Sequence, residues 1–381
     1  MVCTEREEIE RFLVDEFKGK IHRLSVLDCD VINKYKNNNF GFSLCAFMLY
    51  ANGINPKSRS DFAPLGLLYY DGDNIFSIGI FKRTQGSDNV YVHIIAPNGN
   101  SWHRIIKKMS SVLSCSFKNV IAIYVRHIDE DDYNILIKNG YQPICDRPWH
   151  IDSHSEDETF NHRYIELEKI IGKNNNELFV KNLDMAGSRN FRTKTRSAFN
   201  RFSNFLAGNS FILEFYNYTS KYKNAAQIIV CNNFELFHPK GSSVSEDYAN
   251  LLNKAFYDGE NIFSYIGFIK KNNTKEKMKK KPVAFFVGEK ISKDCVALYA
   301  TLSATKNPPK GLSIKKQVGY TALSQYCYVK IFENLYSTGI RYVDLGGSEN
   351  EQLNTFKRQL GAIEKKTYWA VNVLRKEDDK Q

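Results

Sequence analysis

The sequence predicts a mixed α/β chain of two tandem domains, each a splayed mixed β-sheet flanked by helices. Three observations carry that prediction. The 381 residues are 43% hydrophobic and include 22 Tyr and 26 Phe, enough apolar material for two cores. One order of strands and helices runs through the first half and again through the second, which argues for duplication. The strands are separated by only a few helices, which argues for mixed layers rather than a βα repeat. The division expected is a first domain over residues 1–171, a linker carrying a basic helix over 172–210, and a second domain over 211–381.

In the first half, strands are expected at Ile21–Leu27, Leu65–Tyr70, Ile75–Phe81, Val90–Ile95 and Val120–Val125. Each is a run of β-branched and aromatic residues bounded by turn formers. Helical spacing covers Asp30–Ala51, Ser101–Leu113 and Asp129–Ile137, the last stopping near Gly140. A strand pair, Gln142–Cys145 and Tyr164–Leu167, is expected to close this half. The segment from Asp152 to Thr159 is polar and acidic and reads as a loop tip.

The second half repeats the order. A strand at Phe211–Tyr216 precedes helices at Lys221–Phe237 and Ser245–Tyr257. The latter opens on acidic residues suited to a helix N-terminus. Strands follow at Asn261–Ile269, Pro282–Gly288 and Cys295–Ser303. One long helix is expected over Ile314–Tyr336, stopped by Gly339, then a strand at Arg341–Leu345. A short helix over Asn350–Leu360 and a last strand at Tyr368–Leu374 close this half.

Charge is unevenly spread. Residues 1–170 carry 20 basic and 23 acidic side chains, whereas the remainder carries 33 and 19. A basic half suggests a polyanionic partner: nucleic acid, a phosphorylated substrate or a membrane surface. The expected helix near Ser188–Leu206 concentrates this charge. At 3.6 residues per turn Arg189, Arg192 and Arg196 share a face, a pattern that suits phosphate binding and equally an ordinary amphipathic helix. Lys275, Lys277, Lys279, Lys280 and Lys281 read as a solvated loop tip.

Other chemistries find little support. The eight cysteines are scattered without a CxxC pair and read as buried free thiols, not a zinc site or disulfide framework. His150, His154 and His162 match no metal spacing, so no metal is expected, and they read as part of a hydrated tip. No nucleophile elbow is visible. No apolar run reaches the roughly 18–20 residues of a membrane helix, and Met1–Lys20 lacks a signal-peptide core. A cytoplasmic protein is expected, with peripheral membrane contact left open.

The closing segment carries the sharpest motif. Gly339-Ile340-Arg341-Tyr342-Val343-Asp344-Leu345-Gly346-Gly347 is followed by Leu353-Asn354-Thr355-Phe356-Lys357-Arg358-Gln359-Leu360-Gly361. This strand with D-x-x-G, then F-K and G on the next helix, resembles the Fem-type and DUF2156-like aminoacyltransferases. The order β-α-α-β-β-β-α-β-α-β is similar to that of the Gcn5-related N-acyltransferase fold. The resemblance covers the second half well and the first half only in element order. It implies that each sheet opens between its fourth and fifth strands, in the second half Cys295–Ser303 and Arg341–Leu345.

The resemblance also implies a function: transfer of an aminoacyl group from charged tRNA to an amine or hydroxyl acceptor, such as a peptide, cell-wall precursor, lipid or natural product. It makes Lys357 an electrostatic catalyst; Asp344, at the end of a strand beside Gly346-Gly347, reads as an orienting group or weak base. Arg189, Arg192, Arg196, Tyr299, Gly346, Gly347 and Phe356 are then the expected substrate-binding residues. The residue chemistry agrees, since acyl transfer builds negative charge on the carbonyl oxygen and a fixed cation stabilises it. Lys357 also fits a solvent-facing helix lysine, and Asp344 a cap on the glycine turn.

Acyl-CoA is the alternative donor. Coenzyme-A-dependent members of that fold cradle the pyrophosphate in a glycine-rich loop at a helix start. Here the corresponding residues are Lys306-Asn307-Pro308-Pro309-Lys310-Gly311-Leu312-Ser313, in which two prolines remove N–H donors. In the first half, Pro97-Asn98-Gly99-Asn100-Ser101 is a better anion site but lacks the motif. No cofactor is therefore expected. A non-catalytic nucleic-acid-binding protein on a degenerate transferase fold is the remaining alternative.

Overall fold

The computed structural model describes residues 5–50, 65–82, 89–144, 161–174, 177–180, 189–237, 261–272, 280–310, 312–348 and 351–375. The expected helix at Ser245–Tyr257 and the lysines at 275, 277 and 279 lie outside them. In chain order, the first elements are α1 (Glu5–Glu16), β1 (Ile21–Arg23), α2 (Cys29–Lys34), α3 (Leu44–Tyr50), β2 (Leu65–Tyr70), β3 (Asn74–Lys82) and β4 (Val90–Gly99). Next come α4 (Trp102–Ser116), β5 (Val120–Ile128), α5 (Glu130–Lys138), β6 (Gln142–Pro143), β7 (His162–Glu166), β8 (Ile171–Asn174) and β9 (Glu177–Val180). Then follow α6 (Arg189–Gly208), β10 (Phe211–Asn217), α7 (Lys223–Phe237), β11 (Ile262–Lys271), β12 (Lys281–Lys290) and β13 (Cys295–Ser303). The chain closes with α8 (Ile314–Tyr320), α9 (Leu323–Ser337), β14 (Tyr342–Asp344), α10 (Glu351–Gln359), β15 (Ile363–Lys365) and β16 (Tyr368–Val373).

These elements form two units. The first comprises residues 1–155 and 366–381, the second residues 156–365. Each holds a seven-stranded mixed sheet, ordered β1-β2-β3-β4-β5-β16-β6 in the first and β10-β11-β12-β13-β14-β7-β15 in the second. This corrects the contiguous division at 171 and 211. The strand at Tyr164–Leu167 does not close the first sheet, and the last strand does not close the second. Instead β7 lies between β14 and β15, while β16 pairs with β5 and β6. Alternation identifies a strand without saying which edge it joins, and the two halves offer equivalent edges.

The stretch 172–210 is likewise part of the second unit rather than a linker. β8 and β9 form a hairpin within it, and α6 buries Ala198, Phe202 and Phe205 in the second core. Those positions recur at helical spacing, which is why α6 packs lengthwise. Phe202 and Phe205 meet the ring of Tyr320 at 6.0 and 5.6 Å. The single long helix expected over Ile314–Tyr336 is two, α8 and α9. The break follows Gly319, where a Cβ would come within 2.9 Å of Phe205, and the Thr321 hydroxyl turns back to the Val318 carbonyl.

In the first unit the core is built by strand and helix periodicity. α4 buries Trp102, Ile106, Met109 and Leu113, one stripe at the 3.6-residue period, against β4 and β5. Every residue of β5 is buried, as expected of a strand covered on both faces. The Asp129 carboxylate caps α5 by accepting from Asp132 N at 2.9 Å. Cys45, Cys295 and Cys327 are buried free thiols as expected, but Cys115 is exposed.

Both sheets are antiparallel except at one place, the fourth and fifth strands. β4 and β5 run parallel from Val90 opposite Val120 to Ile95 opposite Arg126. β13 and β14 pair in parallel over three residues only, ending at Ala297 opposite Asp344. Beyond that point β13 continues to Ser303 with partners on the β12 side. In the second sheet β13 therefore runs on past its pairing with β14, as the expected opening requires, whereas in the first β4 and β5 stay paired from Val90 to Ile95.

Candidate functional site

The strongest grouping of polar side chains in the second unit lies where β14 ends. Gly346 follows in the left-handed region, φ +67°, which a side chain would strain. Its N–H donates to Asp344 Oδ1 at 2.9 Å. Its carbonyl accepts from Arg163 N at 3.0 Å and from Lys357 Nζ at 3.2 Å. Lys357 Nζ also donates to the Gly347 carbonyl. The turn is thus fastened from β7 on one side and from α10 on the other.

Lys357 is only 6% exposed, which rules out the solvent-facing lysine. Carbonyl acceptors orient an ammonium without cancelling its charge, so a fixed positive charge stays at the turn. Asp344 is completely buried and caps the glycine turn. Its Oδ2 lies 3.4 Å from Lys365 Nζ and its Oδ1 3.6 Å from His162 Nδ1. Burial pushes the Asp344 carboxyl up, but the nearby His162 ring, the Lys365 ammonium and the Gly346 N–H outweigh it. The carboxyl is held below its ordinary value.

The helix is fixed as firmly as the turn. Asn354, one turn before Lys357, accepts from Arg163 Nε at 2.8 Å and donates to Glu351 Oε2 at 3.2 Å. Arg163 Nη2 lies 3.5 Å from Glu364 Oε2. Phe356 packs against Tyr328 with ring centroids 5.5 Å apart, and the Tyr328 hydroxyl meets Thr301 of β13.

Tyr299 occupies a distinctive place. Leu298 is opposite Gly288 and Ala300 opposite Val287, so Tyr299 is the extra residue of a β-bulge. Bulges re-aim a strand locally, and this one begins two residues past the last pair with β14. The first unit has a register shift at the matching place, between Ile75 and Ser77 of β3, opposite Asn98 and Ile95. There the out-of-register residues of β4 are Ala96 and Pro97, and proline has no N–H to present.

The structure therefore groups Lys357, Asp344, Gly346 and Gly347 at one turn, with Phe356 beside Lys357 and Tyr299 on the strand that leaves β14. Of the arginine set, only Arg196 has a described side chain, and no contact of it with that turn is seen. The side chains of Arg189 and Arg192 lie outside the described residues, and Arg196 is half-buried. What ties α6 to the site is the neighbouring Thr195, whose hydroxyl donates to the Gln359 carbonyl at the end of α10. His162, Arg163, Asn354 and Lys365 are additions. His162 is not part of a hydrated tip: it opens β7 and is fully buried. No alternation marks it, since His162-Arg163 are polar and Tyr164-Ile165 apolar; the only signal was its place directly before the expected strand at Tyr164–Leu167.

Among the described residues, the two loops, one in each unit, that correspond to a pyrophosphate-binding position are engaged in contacts of their own. In the second, the Lys281 ammonium fills the loop after β13, donating to the Asn307 carbonyl at 2.7 Å, Asn307 Oδ1 at 3.0 Å and the Pro308 carbonyl at 2.9 Å. In the first, Asn98 and Gly99 are still paired with Ile75 and Asn74 inside the sheet. Ser101 N at the start of α4 already donates to Asn74 Oδ1 at 2.9 Å. Among the described residues no group of three or more His, Cys, Asp or Glu side chains could hold a metal ion, and no helix is long and apolar enough to cross a membrane.

No protein-family model and no curated protein sequence matches the chain. Solved structures do. FemX superposes with a TM-score of 0.57 at 8% identity, over 93% of this chain and 97% of that one. The chain has the tandem Gcn5-related fold. L-PGS from Bacillus licheniformis shares the fold at a TM-score of 0.54 and 12% identity, over 94% of each chain. So does a conserved protein of unknown function from Bacteroides thetaiotaomicron, at 0.56 and 11%, over 93% of this chain and 99% of that one.

Proposed function

We propose that the chain is an aminoacyltransferase that moves an aminoacyl group from charged tRNA to an amine or hydroxyl acceptor, with the chemistry in the second unit. The observation that carries this reading is the buried Lys357 ammonium, fixed by the Gly346 and Gly347 carbonyls beside the strand opening. Attack on the aminoacyl ester places negative charge on the carbonyl oxygen, and a preorganised cation in a dry site stabilises that charge without reorganising. Tyr299, at the bulge, lines the path of the acyl group, and Phe356 backs the lysine. Asp344 holds the turn rather than taking a proton, because its carboxylate is buried among Lys365, His162 and the Gly346 N–H.

The donor preference is supported by the loops. A coenzyme A ester needs clustered backbone N–H groups for its pyrophosphate, whereas here Pro308 and Pro309 supply none to the loop after β13 and Ser101 N at the α4 start is taken by Asn74. A basic second half and the arginine positions of α6 suit a tRNA backbone. A peptide, a cell-wall precursor, a lipid headgroup amine or hydroxyl, and a natural product all remain acceptors of the right chemistry.

The test is a donor competition. Purified protein is incubated with radiolabelled aminoacyl-tRNA or acyl-CoA and a panel of amine acceptors. Transfer from charged tRNA alone is expected, with discharge lost in Lys357→Ala. Transfer from acyl-CoA alone overturns the donor, and no transfer from either with tight tRNA binding supports a non-catalytic nucleic-acid-binding protein.

A further inference from the structure

We propose that His162 is a positioning residue that, through Asp344, sets the Gly346–Gly347 turn and so the placement of the Lys357 ammonium. This inference rests on the transferase reading above. Both side chains are fully buried, and His162 Nδ1 lies 3.6 Å from the same Asp344 Oδ1 that accepts from Gly346 N at 2.9 Å. The next residue continues the work. Arg163 N donates to the Gly346 carbonyl, the acceptor that Lys357 Nζ also uses, and Arg163 Nε reaches Asn354 one turn before Lys357. Two consecutive residues of β7 thus hold the two ends of one contact, the turn and the helix.

The remaining groups around this pair complete it. Lys365 of β15 stands opposite His162 in the register, with its Nζ 3.4 Å from Asp344 Oδ2. Tyr164 stands opposite Asp344 and stacks on Tyr342 with centroids 5.2 Å apart. A buried carboxylate that lacks matched donors shifts or neutralises. Removing the imidazole therefore loosens Asp344 first, the Gly346 N–H second and the lysine last. His162 touches no reacting atom in this scheme.

The experiment uses the full chain and three variants: His162→Gln, His162→Phe and Ile165→Val, the last a core change in the same strand that lowers stability without touching the turn. Two readouts are taken: amide hydrogen exchange at Gly346–Ser348, and kcat and KM for aminoacyl transfer from charged tRNA. His162→Phe is expected to speed exchange at the turn about tenfold. It should lower kcat on the order of tenfold while KM moves little. His162→Gln, which keeps a polar group near Asp344, should recover most of both. In a Lys357→Ala background His162→Phe should have almost no further effect on kcat, because it acts through that lysine. If His162→Phe does not fold, His162→Asn, whose shorter amide falls short of Asp344, is scored in its place.

Exchange and kcat no different from Ile165→Val overturn the inference, as does full additivity with Lys357→Ala. If no variant, wild type included, transfers an aminoacyl group, the transferase reading falls. The exchange readout then still decides whether His162 sets the turn.

Discussion

The guanidinium carbon of Arg126 lies 4.0 Å from the centre of the Trp369 ring, joining the fifth strand of the first sheet to a strand made of the last described residues. Arg126 is buried, and its Nη1 is 3.3 Å from His93 Nδ1. Burial, and then the Arg126 charge, hold the His93 imidazole well below its usual value. The neutral ring accepts while the guanidinium donates.

Trp369→Ala should therefore unfold the first unit more readily than an average core truncation. It removes a large buried ring and uncovers a buried cation at once. A loss of at least about 3 kcal/mol is expected by urea denaturation. A loss below 1 kcal/mol would show that Arg126 is stabilised by something else.

Lys357→Ala should lower transfer turnover by roughly 10²–10³ with little change in substrate affinity, as for loss of one oxyanion donor. Burial adds a second consequence. The Gly347 carbonyl loses its donor and the Gly346 carbonyl keeps only Arg163 N, so stability should also fall by about 1–3 kcal/mol. Lys357→Arg should rescue turnover only in part, since its planar fork places charge differently. Steady-state kinetics alongside denaturation separates the two effects. A loss confined to affinity would recast the lysine as a substrate anchor.

Asp344→Asn should cost more near neutral pH than in acid. The folded carboxyl is held below its ordinary value. Its stabilisation is therefore complete above the unfolded value of about 3.9 and disappears as pH falls through the folded one. Breaking a buried charge pair costs on the order of 3 kcal/mol. The gap between the unfolding midpoints of wild type and Asp344→Asn, constant from pH 7 to about pH 4, should narrow as pH falls further. A gap that stays constant there too would mean that the carboxylate's charge contributes nothing.

Arg192→Ala with Arg196→Ala should weaken tRNA binding and flatten its salt dependence by about one unit of log–log slope per lost phosphate contact. Binding isotherms at two salt concentrations decide this. Unchanged slope and affinity would leave α6 a packing helix, with its role limited to Ala198, Phe202 and Phe205.

Local pattern made much of this fold legible. The strand expected over Cys295–Ser303 has those bounds in the structure, and the F-K pair sits on a helix as expected. What local pattern does not encode is partner choice. β7 and β16 are recognisable strands, yet each enters the sheet that its position in the chain argues against. The close approach of Phe205 to Gly319, just before the break between α8 and α9, is a long-range contact. His162 was hidden because its neighbours His150 and His154 suggested a polar tip. Its environment is set by Asp344 and Lys365, far along the chain.

The placement of β16 also orders events during synthesis. Residues 1–155 carry most of the first unit, but the strand between β5 and β6 is made only after the whole of residues 156–365. The second unit, contiguous from 156 to 365, has all its strands before then. At about 5–20 residues per second the first sheet waits, with the buried edge of β5 unpaired, for ten seconds or more. The amino-terminal unit is thus the later one to finish folding, and chaperones that shield strand edges would find their substrate there.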